Sequence, residues 1–280
     1  MSRANIGYQI GNMLDNEHLI AGSASGYGPS PKIWSSCPVL PIMLDPTKGF
    51  VYFDDFKKIS TYATGVLHDG MRMTQTSSKG TLANDPAIPG GVIKISGADA
   101  VDKGPIVQFL GCQCEPGANT TIYMEWRILV NVGGGQCFMG LACDSVTDVV
   151  PANAVLTNIN LAGFYRDVGT GDTDWTVGVC DASSSEESDD EVSGASESVY
   201  EKFGLIFEGI GAVAGSKVTF FHNGEPVYAT SDINDLPLLL MCPTFQFHGG
   251  DTDTAPSAWL DWLRVAVYNT STGGRDTDGS

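Results

Sequence analysis

The sequence predicts an all-β protein: an antiparallel β-sandwich of jelly-roll type, preceded by an extended N-terminal arm. Three observations predict it. Short β-prone runs recur along the chain with turn residues between them. No segment holds the 3.6-residue apolar period of a long helix. The 34 Gly and 14 Pro among 280 residues supply turns for many short elements.

Taken in order, residues 1–44 differ from the rest of the chain. They are rich in Gly, Ser, Asn and Pro, and their apolar residues (Ile6, Tyr8, Ile10, Met13, Leu14) keep no period. The stretch SASGYGPSPK cannot continue a helix or a central strand, because proline lacks the amide hydrogen both require. The segment reads as an arm with one short helical turn that reaches a neighbour, and Tyr8 and Trp34 are its candidate partner contacts. A disordered leader is the other reading of the same composition.

The sandwich is expected over residues 45–268. Its first candidates are Phe50–Phe53, Val92–Ile95 and Ile106–Leu110. In TIYMEWRILV (121–130) Ile122, Met124, Trp126, Ile128 and Val130 share one face, the period of a half-buried strand. Cys137–Ala142, Leu161–Tyr165, Trp175–Cys180 and Phe203–Phe207 come next. The run 217–228 holds Asn223-Gly224 between two β-prone halves, a type I′ hairpin signal. Leu238–Phe247 and WLDWLRVAVY (259–268) close the set. Residues 181–198, DASSSEESDDEVSGASES, read as an acidic, Ser-rich loop insertion, and 269–280 as a polar tail.

Charge and composition exclude several classes. Fifteen Lys and Arg against 33 Asp and Glu give a net charge of -18, which repels a phosphate backbone and argues against direct nucleic-acid binding. The most apolar stretch, Leu236–Cys242, is too short to span a membrane. The first twenty residues hold no secretory h-region, so the seven cysteines are expected as free thiols of a reducing cytoplasm.

Candidate chemistry is sparse. Glu187, Asp189 and Glu191 match the alternating carboxylates of sandwich-fold glycosidases, but their Ser-rich context offers no strand to hold them about a sugar bond. His18, His68, His222 and His248 show no ligand spacing. Cys112 and Cys114, with Cys137 and Cys143, could form a zinc site, but buried thiols are the expectation. Asp172, Asp174, Asp251 and Asp253 could offer oxygens to calcium, though not in an EF-hand loop. Trp126 is expected in the core; Trp175 and Trp262 are open between core and surface. No catalytic residue, metal ligand or cofactor is assigned, and the chain is expected not to be an enzyme.

GTLANDPAIPGGVIKIS (80–96), NTTIYMEWRILV (119–130), FMGLACDS (138–145) and LAGFYRD (161–167) together resemble a family of tailed-bacteriophage virion proteins with concanavalin-like, laminin-G-like jelly rolls. DPTKGFVYFDDF (45–56), KVTFFHNGEPV and WLDWLRVAVY match its lead-in, penultimate hairpin and closing strand. The resemblance implies a capsid decoration (cement) protein or head-fibre component. Its partners would be the major capsid protein and further copies of itself, as a homotrimer. Its place would be the outer capsid surface of a virion assembled in a bacterial cytoplasm. Surface glycan binding, as in a lectin-like head fibre, is the alternative, and a sandwich-fold glycosidase the weaker one.

Overall fold

The computed structural model describes residues 28–56, 65–66, 70–75, 80–85, 91–97, 104–131, 135–145, 149, 159–167, 174–181, 185–187, 192, 199–209, 216–230, 235–249 and 256–270. Two short helices, α1 (Pro31–Trp34) and α2 (Val39–Leu44), lead into a 3₁₀ turn at Pro46–Lys48. Strands then form two facing sheets. The first runs β14 (Glu225–Ala229), β13 (Lys217–His222), β12 (Glu201–Glu208), β7 (Thr120–Asn131), β16 (Ser257–Asn269), β5 (Ile93–Ser96), β4 (Thr81–Asn84), and β1 (Gly49–Asp54) also pairs with β16. The second runs β11 (Ser185–Glu187), β10 (Thr176–Asp181), β9 (Asn160–Asp167), β8 (Gln136–Cys143), β15 (Met241–His248), β6 (Pro105–Phe109), β3 (Met71–Gln75), β2 (Gly65–Val66). The ladders among these strands are antiparallel, so the predicted sandwich is the observed one.

Period-two patterning places the core. From the first sheet come Ile122, Met124, Trp126 and Ile128 of β7, with Phe203, Leu205 and Phe207 of β12. Facing them are Cys137, Met139 and Leu141 of β8, Phe164 of β9, and Phe245 and Phe247 of β15. Trp126 is the hub. Its ring stacks on Phe203 at 6.1 Å and meets Phe164 and Phe245 edge-on, each at 5.9 Å, the geometries that ring quadrupoles favour.

Two backbone devices set the register. Asn223 and Gly224 both have positive φ, 51° and 83°, as the expected type I′ turn requires. In β16 a bulge falls between Leu260 and Trp262, leaving Asp261 as the extra residue. Ala258 and Leu260 before it, and Leu263, Val265 and Val267 after it, therefore all reach the same core.

The structure departs from the sequence expectations in four places. The runs MRMTQ and TLAN form β3 and β4, which are too short for alternation to reveal. Leu238–Leu240, expected inside a strand, precede β15 as exposed residues. Within the expected loop insertion 181–198, Ser185–Glu187 form β11 on β10, and buried Val192 bridges Trp175. An edge strand needs a partner on one side only, so even Ser-Glu-Glu can supply one. Lastly, the part of the arm that is described, residues 28–44, packs on its own sandwich.

Truncating Trp126 to Ala is expected to cost about 3–5 kcal/mol of unfolding free energy. The indole N–H of Trp126 meets no acceptor among the described residues, so Trp126→Phe should cost clearly less. Urea unfolding of the two variants checks the order; equal losses would remove Trp126 as the hub of the core.

Candidate functional site

The outer face of the first sheet carries a buried polar centre. Tyr123, Glu125 and Arg127 point outward from β7, Lys202 from β12, and Trp262 and Arg264 from β16, opposite in parity to the core residues beside them. Sequence alternation alone assigns such residues to solvent. Glu125 is instead fully buried. Both of its carboxylate oxygens accept from the Ser30 N–H at 3.1 Å, and Oε2 also accepts from Trp34 Nε1 at 2.6 Å.

Local sequence explains why this segment fits. Pro31 at the first turn and Trp34 at the last make α1 a single turn that presents Ile33 and Trp34 on one side. Ile33 enters above Gly204, where a Cβ would lie 2.5 Å from Ile33 Cδ1. Trp34 stacks against Tyr123 at 6.3 Å and meets Phe53 edge-on at 5.4 Å. The Tyr123 hydroxyl donates to the Ser36 carbonyl at 3.2 Å, and Lys202 Nζ donates to the Gly28 carbonyl at 3.3 Å. Cys37 and Ile42 complete an apolar cluster with Ile206, Phe221 and Ala266.

Burial governs the electrostatics. It pushes the Glu125 carboxyl up, against the opposing pull of the Ser30 hydrogen bonds, Arg264 and Lys202. It pushes Lys202 and Arg264 down for the same reason. The Arg264 guanidinium lies 4.1 Å over the Trp262 ring. The bulged Asp261 receives Arg127 Nη1 at 2.5 Å, and the Arg127 guanidinium lies 4.3 Å over Tyr200.

The second sheet also has a filled outer face. Arg72, Gln108, Thr244, Gln246 and His248 form a polar row flanked by Ile106, Phe138, Leu161 and Tyr165. Gln108 Nε2 donates to Thr244 Oγ1 at 3.1 Å and to the Cys143 carbonyl at 3.0 Å. Arg72 Nη2 bonds Gln108 and Asp144 and donates to the Ser145 carbonyl at 2.7 Å. Gln246 Oε1 accepts from the Val149 N–H at 2.6 Å. The row thus ties Asp144, Ser145 and Val149 to the sheet. Along β6, β8 and β15 the outward side chains include amides, a hydroxyl and an imidazole, with no carboxylate pair that could flank a glycosidic bond.

The structure scatters the sequence-derived candidates. Trp34 is 5 % exposed and committed to Glu125 of its own chain, which corrects its expected role as a contact reaching a partner. Tyr8 lies outside the described residues. Glu187 sits in β11, an edge strand, while Asp189 and Glu191 lie outside the described residues. His222 pairs with Glu201 at 3.1 Å, and its ring lies 5.0 Å from that of Phe203, tilted by 31°. His18 and His68 lie outside the described residues.

Cys112 ends a 3₁₀ turn and Cys114 bridges Met241, so the two are not on one strand face. Among the described residues no group of three His, Cys, Asp or Glu could hold a metal. Burial pushes the thiols of Cys37 and Cys242 up to about 12, and those of Cys112 and Cys114 higher. Such thiols are poor nucleophiles and ligands at neutral pH. Of the acidic loop residues only Asp174 is described. Trp175 and Trp262 are both buried. The sequence missed Glu125, Lys202 and Arg264; the available signal was the apolar content of PKIWSSCPVLPIML, which has to cover something.

No protein-family model matches the chain, and no curated protein matches it. Solved structures do. The carbohydrate recognition domain of Emp47p aligns with TM-score 0.53 at 12 % identity, over 81 % of this chain and 99 % of that one. Basic winged bean lectin, solved with Tn-antigen, aligns with TM-score 0.51 at 6 % identity, over 80 % and 100 %. Endo-1,3-beta-glucanase from Streptomyces sioyaensis aligns with TM-score 0.50 at 10 % identity, over 78 % and 95 %. At these identities the likeness establishes the concanavalin-like jelly roll. That fold is compatible with carbohydrate binding or with glycoside hydrolysis.

Trp34→Phe keeps most ring contacts and removes the indole N–H. It should cost about 1–3 kcal/mol in urea unfolding, because a buried carboxylate then lacks a donor. A pH series adds a second check. With its carboxyl pushed up by burial, the folded chain holds a proton that the unfolded chain has released. This contribution is fully present below the ordinary carboxylate value and is lost as pH rises through the folded value. The stability difference between the native chain and Glu125→Gln should therefore shift toward the native chain on acidification. A difference independent of pH would show that Glu125 does not titrate across folding.

Proposed function

We propose that this chain is a non-enzymatic structural protein of a tailed-bacteriophage virion: a decoration protein on the outer head surface that bridges and stabilises capsid subunits. The observation that carries this reading is an apolar end to the sandwich. Leu238, Leu239 and Leu240 are 52 %, 58 % and 45 % exposed, and Met43 and Leu44 are 53 % and 75 % exposed.

Register puts these residues at one end. Leu44 is separated from Gly49 by a 3₁₀ turn, Gly49 pairs with Tyr268, and Asn269 pairs with Thr120. Leu240 precedes Met241, which bridges Cys114 shortly before Thr120. Exposed leucines gathered at one end mark a surface that another protein covers. Support comes also from the two outer faces, whose central residues are filled by the chain's own side chains. The resemblance of the strand motifs to phage virion proteins supplies the particle, the major capsid protein as partner and a homotrimer as the assembled form. A charge of -18 suits the outer face of a shell better than the face toward packaged DNA. Buried interface then favours the assembled shell by mass action.

A glycan-binding head-fibre role is the second reading, and Trp259 favours it. This half-buried ring donates through Nε1 to Asp85 Oδ2 at 2.8 Å and lies 4.8 Å from Lys94 Nζ, an aromatic and polar grouping of the kind sugars stack on.

Quantitative mass spectrometry of purified particles is expected to find this chain in numbers comparable to the capsid subunits. A handful per particle would sink the decoration role and point to a fibre or tail. On a glycan array the decoration reading expects no binding, whereas binding abolished by Trp259→Ala would establish the second reading.

A further inference from the structure

We infer that the apolar end of the sandwich receives the N-terminal segment, residues 1–27, of a second copy of this chain. This rests on the assembly reading above and names the contact that builds the assembly.

The geometry starts from where the segment is delivered. The Gly28 carbonyl is held by Lys202 Nζ at 3.3 Å, and Ser30 Oγ would lie 3.0 Å from a Cβ on Gly224. Gly28 therefore sits at the hairpin end of the first sheet. From there residues 28–44 run along the outer face to α2 and the start of β1, at the opposite end. The exposed leucines share that opposite end. Exit point and apolar patch are thus separated by the length of β7, whose 12 residues span about 40 Å. Doubling back within one chain would mean returning along an outer face whose middle residues 28–44 already occupy. Two copies placed end to end bring the exit of one beside the patch of the next. That is a head-to-tail contact, which closes into a ring when the rotation permits, a trimer included.

Composition fits the same occupant. Residues 1–27 bring Ile6, Tyr8, Ile10, Met13 and Leu14, and their charged residues are Arg3 against Asp15 and Glu17. The segment is close to neutral in a chain of net charge -18. Bringing two such acidic bodies face to face is opposed by repulsion, whereas a near-neutral apolar segment can bridge them. At up to about 3.3 Å per residue, 27 residues are long enough to cross the patch.

The test uses the full chain with Leu239 replaced by a photo-crosslinking phenylalanine analogue, mixed as isotope-labelled and unlabelled copies. Cross-links from position 239 into residues 1–27 that join labelled to unlabelled peptides are the expected result. Sedimentation velocity supplies the second measurement. Deleting residues 1–27, or substituting Leu238→Ser, Leu239→Ser and Leu240→Ser together, should each weaken self-association at least about tenfold, and the combination should add little. Cross-links confined to single copies, cross-links outside residues 1–27, or a chain that stays monomeric would each overturn the inference. A monomer that is nevertheless abundant on virions would overturn it and leave the decoration role standing. Self-association through residues 1–27 in a chain absent from virions would do the reverse.

Discussion

The Glu125 carboxylate, removed from water at the centre of the first sheet, has to be met by donors, and the chain meets it with its own N-terminal segment. Much of the outer face is organised around that need. Ser30 and Trp34 supply the N–H groups, Gly204 leaves room for Ile33, and Lys202 and Arg264 balance the charge from neighbouring strands. A buried carboxylate of this kind contributes little net stability, because desolvation offsets much of the attraction. What it contributes is position. Any shift of residues 28–44 along the sheet would leave a buried charge without donors, so the segment has one seat.

The same logic operates on the second sheet with neutral groups. Ile106, Phe138, Leu161 and Tyr165 face outward from strands whose inner residues already fill the core, so that face needs a cover as well. Amides and a guanidinium contribute to it by holding Asp144, Ser145 and Val149 in place. A jelly roll covered over the middle of both faces keeps its core dry. The fold is shared with lectins and a glucanase, but the centres of these faces are occupied by the chain's own residues. The exposed leucines lie at an end, where the sandwich contributes loops and a helix terminus.

Much of the sandwich was legible from local pattern. Alternation in TIYMEWRILV and WLDWLRVAVY, and the Asn-Gly turn, depend on a two-residue period and on the sterics of positive φ, and both are properties of short stretches of chain. β3, β4 and β11 escaped because runs of three to five residues carry too little period to stand out from turns. The candidate site escaped for a different reason. Alternation marks which residues point away from the core, but it cannot say whether water or another segment lies there. Glu125, Arg127 and Lys202 look like solvent-facing positions until residues 28–44 are laid over them. For Trp34 the misreading was the converse: a large ring in a Pro- and Ser-rich stretch suggested an outside partner, and the partner is β7 of the same chain.

By itself, the sequence determined the strand-rich class, the inward faces, the hairpin and the strongly acidic charge, because each arises from nearest neighbours or from composition. Tertiary structure alone decided that the middles of the outer faces are covered, that Glu125 and Trp34 form one buried pair, and that the exposed leucines gather at one end. Those outcomes join residues some ninety positions apart or bring separate loops together, and only the register of the folded sheets fixes which of them meet.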